Sequence, residues 1–244
     1  MTFSAAQYET VTKKIDKGMR DLPGKQQSFA DKVNELLDSW WITDAVGRAI
    51  KLTAEKILDG VTWIADKVWE VIQGVAAPIT MFFYANDWQD KVRSKATTVA
   101  GETDPKGLKA PLEWEGRAAD RYTKATWRQS GAASQIGKVA DTVGQALTYS
   151  AVAGLAFYVS IGAIVGKTIA VLAAASAATA TGVGAPVGLL AALADVLSDA
   201  TYLVAAISAL AALIGTQAQQ LNNVKGEARD GAAFKGGHWP KGTA

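Results

Sequence analysis

Between residues 139 and 224 the chain carries only four charged side chains, Asp141, Lys167, Asp195 and Asp199. The preceding residues, 1–138, carry 20 basic and 18 acidic ones. A stretch this long and this poor in ions must hide most of its surface, against its own chain, against another copy or in lipid. This boundary constrains the fold more than any other feature. Residues 151–180, "AVAGLAFYVSIGAIVGKTIAVLAAASAATA", contain one charge, and residues 187–215, "VGLLAALADVLSDATYLVAAISALAALIG", contain two. Between them "TGVGAP" supplies Gly182, Gly184 and Pro186, a combination that ends one helix and starts the next. Each arm spans roughly 45 Å at about 1.5 Å per residue, long enough to cross a bilayer.

The charges define the register of this hairpin. Folding the chain about residues 183–184 sets Lys167 opposite residue 200, one step from Asp199 and about one helical turn from Asp195. Asp195 and Asp199, four apart, share a helix face. The cation of one arm thus meets both anions of the other, as a seam that buries charge requires. Gly162 and Gly166 form a GxxxG pair, expected to let helices approach closely.

The N-terminal part reads as amphipathic helices. Ser4 with Gln7 and Ser28 with Asp31 form possible capping boxes, separated by a break at Leu22-Pro23-Gly24. Beyond Trp40-Trp41, Thr43 or Asp44 caps a long helix with the stripe Val46, Ile50, Ile57, Val61, Ile64, Val68 and Ile72. Gly74 and Pro78 end it. A shorter helix with Phe82, Phe83, Trp88 and Val92 reaches about Ala100, and "GETDPKGLKAP" follows as a loop. No strand pattern is visible. The expected fold is all-α: an elongated helical bundle with segments 1–78 (amphipathic helices), 79–150 (a helical hairpin), 151–217 (the charge-poor hairpin) and 218–244 (a flexible Gly-rich tail).

Within the second segment, "PLEWEGRAADRY" places Trp114-Glu115-Gly116 between two helical stretches. Gly permits backbone angles other residues resist, and the indole can plug the end of a hairpin. The following "GRAADRYTKATWRQSGAASQI" has an early Ala-Ala, an aromatic and exposed basic residues. Over residues 79–150 this arrangement resembles the WxG family of substrates of type VII (ESX) secretion systems of actinobacteria and related Gram-positive bacteria. The resemblance implies a helix–turn–helix with Trp114 and Gly116 at the turn, export through the type VII machinery or a chaperone, and pairing with a related helical protein. The family's export signal, Tyr-x-x-x-Asp/Glu, has no match: Thr126, Ala153 and Gly162 stand four residues after Tyr122, Tyr149 and Tyr158. Export is therefore expected to depend on a partner or another determinant. The N-terminal "MTFSAAQYETVTKKIDKG" lacks the continuous apolar run of a Sec-type signal.

Composition excludes much chemistry. There is no Cys and a single His, His238, so thiolate sites, His-based metal centres and catalytic triads are not expected. Net charge is +2, without a field for nucleic acid. No phosphate loop, dinucleotide fingerprint or paired catalytic carboxylates can be assembled, so neither enzyme activity nor a cofactor is expected. His238-Trp239 in the tail is read as exposed. The expectation is a secreted or envelope-associated, self-assembling protein held together through residues 151–215. The alternatives are a pore-forming protein whose hairpin inserts into a membrane, and an inner-membrane accessory protein with two permanent spans.

Overall fold

The computed structural model describes residues 3–182, 184–229 and 233–242. It is an all-α helical bundle, and no strand occurs among the described residues. The helices are α1 (Ala5–Leu37), α2 (Asp44–Ile72), α3 (Ala77–Asp87), α4 (Ser94–Glu102), α5 (Lys109–Glu113), α6 (Arg117–Ala180) and α7 (Ala185–Arg229). A π-helical turn, Trp88–Arg93, joins α3 to α4.

Two compact units arise. The first comprises residues 1–77 and 153–212, the second residues 78–152 and 213–244. The expected boundaries at 78 and 150 fall close to these limits, but the segments group differently. The N-terminal helices belong with the charge-poor hairpin, and the Trp-x-Gly region belongs with the end of α7 and the tail.

The first unit is built on a repeat of alternating steps of three and four. In α2 the buried residues are Ile50, Ala54, Ile57, Val61, Ile64 and Val68. In α7 they are Ala185, Leu189, Ala192, Val196, Asp199 and Leu203. In α1 Tyr8, Ile15, Met19, Leu22, Phe29, Val33 and Leu36 keep the same register. This is the spacing that lets antiparallel helices interlock along their length.

The helices depart from three expectations. α1 runs unbroken through Pro23, which lies exposed on its outer side while Met19, Leu22 and Phe29 are buried on either side of it. An internal proline costs about 3 kcal/mol, less than the burial of those three side chains at ~1.5–3 kcal/mol each. Ser28, expected to cap a second helix, is therefore mid-helix; Ser4 does cap α1, its hydroxyl accepting from the Gln7 amide at 3.3 Å. α6 is one helix of 64 residues rather than two, because nothing between residues 117 and 180 combines Gly and Pro to stop it. α7 likewise continues to Arg229, so residues 218–229 are helix and not tail. Residues 230–232, 243 and 244 of the expected tail lie outside the described residues. Val46, expected in the α2 stripe, is exposed instead.

The second unit is packed by small residues. Ala119, Ala125, Ala132, Ala133, Ala140 and Ala146 of α6 are buried, with Ala85 of α3 and Ala96 of α4. Asp141 accepts from Gln89 at 3.2 Å and pairs with Arg93 at 3.4 Å, fixing the π-helical turn to α6. The Ser130 hydroxyl donates to the Ala100 carbonyl at 2.8 Å, fixing α4 to the same helix.

Candidate interaction site

The hairpin turn is formed as its residue types demand. Gly182 has φ +71°, a left-handed conformation closed to most side chains, and its carbonyl accepts from the Ala185 amide at 3.1 Å. A Cβ on Gly182 would lie 2.7 Å from the Trp41 indole, so the turn is seated on the α1–α2 connection. Gly184 follows, and Pro186 stands in the first turn of α7, where its missing N–H costs nothing.

Lys167 reaches both acids. Its Nζ lies 2.8 Å from Asp199 Oδ1 and 3.2 Å from Asp195 Oδ1. The three residues differ in burial: Asp199 has 2% of its side chain exposed, Lys167 45% and Asp195 51%. Asp199 thus occupies a core position of the α7 repeat, and Lys167 passes its stem along the interface to neutralise it from the rim. The buried Thr168 hydroxyl adds a long contact to Asp199 Oδ2 at 3.5 Å. A carboxylate in a core position is tolerated only with such partners, and it penalises any slippage that would separate them.

The GxxxG pair is divided. A Cβ on Gly162 would meet Ile15 and Val11 of α1 at 3.6 Å, so Gly162 faces the interior of the unit. Gly166 is exposed and a Cβ there would meet nothing within 4 Å. Joint close packing by both glycines is therefore not what the fold uses, because Gly166 lies on the outer side of α6. The close approaches occur at glycines the sequence reading passed over. A Cβ on Gly18 of α1 would lie 2.6 Å from Val165, one on Gly60 of α2 2.6 Å from Val196, and one on Gly188 of α7 2.5 Å from Ala178. The contacts of α1 and α2 with the hairpin, and of its two arms with each other, each have their own glycine. Isolated in amphipathic runs, Gly18 and Gly60 carry no signal except that a helix tolerates glycine at a cost of about 1 kcal/mol only for a reason.

Two tyrosines also join the first unit together. The Tyr158 hydroxyl donates to the Val71 carbonyl at 3.0 Å and the Tyr8 hydroxyl donates to the Val75 carbonyl. The rings meet edge to face at 5.6 Å. The Val71 carbonyl lies in the last turn of α2 and the Val75 carbonyl just beyond it, where helical partners run out. Burial pushes the Tyr8 hydroxyl well above the ordinary tyrosine pKa, and the neighbouring Tyr158 adds to the shift.

Both arms of the hairpin keep a second face free. On α7, Val187, Leu190, Leu197 and Val204 are exposed, the last three at steps of seven. On α6 the outward residues include Ala163, Gly166, Ala170, Ala173 and Ala177, a strip without bulk. The half-exposed Lys167–Asp195 pair is the charge at these faces. By length and composition three helical stretches among the described residues are able to cross a membrane: Asp44–Glu102, Arg117–Ala180 and Ala185–Gly226.

At the Trp-x-Gly turn, Gly116 has φ +99°, and α6 begins directly after it. The helix before it, α5, is only five residues long. Trp114 is half-exposed rather than a buried plug, its ring 6.2 Å from Tyr122. Compared with known protein families, curated proteins and solved structures, the chain matches none.

Proposed function

We propose that this is a non-enzymatic helical protein of type VII secretion that packs against copies of itself, or against a related helical partner, through the free faces of its charge-poor hairpin. It acts at the cell envelope or outside the cell. The observation that carries the reading is the exposed row Leu190, Leu197 and Val204 on α7, with a strip of small residues on α6 that offers receptor space for such side chains. A helix face about 10 Å wide and about 45 Å long presents roughly 450 Å², so two arms supply ~900 Å², against ~800 Å² per partner in a standard interface. Exposed leucines at seven-residue steps are a stripe suited to a second helix rather than to water. Export is supported by the helix that starts at a Trp-x-Gly turn with glycine in a positive-φ conformation.

The test is the mass in solution. Purified protein without detergent is expected to run as a discrete assembly by light scattering and native mass spectrometry. Leu190→Glu combined with Leu197→Glu is expected to reduce it to single chains with unchanged helicity, since both side chains are exposed. A wild-type protein that is a single chain at all concentrations would overturn the proposal. Gly162→Leu would damage the contact with α1, whereas Gly166→Leu probes the outer face alone.

A second reading rests on the membrane-crossing length of α6 and α7. In it lipid covers the faces that a second copy covers in the first, and the hairpin inserts as a pore or stands as a permanent pair of spans. Flotation with liposomes and release of a trapped dye by purified protein distinguish it from assembly in water.

A further inference from the structure

The second unit contains an open cleft of about 800 Å³ between α6 and the residues that follow α7. Trp127 and Arg128 line it from α6; Lys235, His238, Trp239 and Lys241 line it from the C-terminal segment. Among the described residues its lining holds three permanent cations, Arg128, Lys235 and Lys241, and no carboxylate. The segment is held in place. Gln129 Nε2 donates to the Pro240 carbonyl at 3.2 Å, and the Trp239 ring packs against Phe234 at 6.2 Å. Gly236 and Gly237, with φ +70° and +78°, turn the chain so that Lys235 and His238 both reach the cleft. The tail, expected to be flexible and Gly-rich, is thus one wall of a cavity; His238 and Trp239 are exposed, as expected, and belong to its lining.

The chemistry of the lining has two parts. Arg128 with two lysines suits an oxyanion of more than one charge, the guanidinium offering paired N–H donors to phosphate oxygens. Two exposed indoles suit a planar ring, which stacks on an aromatic face. The volume lies within the roughly 300–1,000 Å³ typical of small-molecule sites.

We propose that this cleft binds a phosphate ester of a planar ring, a mononucleotide in class, with the phosphates on Arg128, Lys235 and Lys241 and the ring against Trp127 or Trp239. This site is independent of the assembly reading, since it uses none of the hairpin's free faces.

Isothermal titration of the full chain with ADP, inorganic pyrophosphate and adenosine tests it. ADP is expected to bind at sub-millimolar concentration, and pyrophosphate and adenosine at least tenfold more weakly. Arg128→Gln and the double variant Lys235→Gln with Lys241→Gln are each expected to weaken ADP tenfold or more. Of Trp127→Leu and Trp239→Leu, at least one is expected to weaken ADP while leaving pyrophosphate unchanged. Circular dichroism checks that these exposed substitutions leave the helices intact. Absence of ADP binding at millimolar concentration, ADP binding unchanged by the charge substitutions, or pyrophosphate binding as tightly as ADP would each overturn the proposal.

Discussion

At the scale of single residues, the first unit sets buried polar groups at the places where its helices need fastening. Asp199 replaces an apolar residue in the α7 repeat and is matched by Lys167 across the hairpin. Tyr8 and Tyr158 donate to carbonyls at and just beyond the end of α2, tying that end to α1 and α6. Tyr8 allows a prediction with a definite sign. Its folded-state pKa is raised, by burial first and by Tyr158 second, so the fold favours the protonated phenol. The stability this contributes is fully present below the unfolded tyrosine pKa of about 10 and is lost as pH climbs from there toward the folded value. Wild-type melting temperature should therefore drop steeply above about pH 10. Tyr8→Phe should cost about 1 kcal/mol at neutral pH through the lost hydrogen bond, yet decline less steeply above pH 10. Thermal melts of both proteins from pH 7 to 11 check this, and parallel curves would refute it.

At the scale of helices, glycine separates inner from outer faces, and the same substitution should act with opposite sign on the two. Gly60→Ala drives a methyl to 2.6 Å from Val196, a β-branched side chain with little freedom to move. Overpacking of this kind costs about 1–3 kcal/mol, more than the ~1 kcal/mol that alanine gains over glycine in a helix. Gly166→Ala meets open space and should keep that gain, stabilising the chain by up to about 1 kcal/mol. Urea denaturation at low protein concentration measures both, and equal effects would contradict the assignment of faces. The contrast also shows what was legible beforehand. The turn at Gly182–Pro186 and the Lys167–Asp199 pairing follow from local turn chemistry and from the scarcity of charge, both written along the chain. The roles of Gly18 and Gly60 depend on which residue of another helix lies opposite, and periodicity within one helix holds no such information. Pro23 was misleading because a breaker acts locally while the seven buried apolar side chains of α1 act together. The cleft beside α6 was hidden for the same reason: its two walls are about a hundred residues apart, and the tail has no repeat to announce a contact.

At the scale of the whole molecule, the question is what covers a hairpin whose inner faces are already occupied. α1 and α2 take the residues that the repeat turns inward, so the exposed row on α7 is not the remnant of an unfinished core. It is a second apolar face on a helix that already has one. Apolar surface costs free energy in water unless another surface removes it. If other copies do so, folding and association are coupled and stability must depend on concentration. A tenfold dilution changes the free energy of a dimer by about 1.4 kcal/mol. Shared between two chains of this size, that corresponds to a fall in melting temperature of about 2 °C. Wild-type protein followed from 1 to 100 μM is expected to show this slope, and a larger assembly a somewhat steeper one. The Leu190→Glu, Leu197→Glu variant should melt at one temperature throughout the range, because its free face can no longer be covered. A wild-type melting temperature that stays constant over the hundredfold range, together with flotation on liposomes, would assign the covering role to lipid instead of to a second copy.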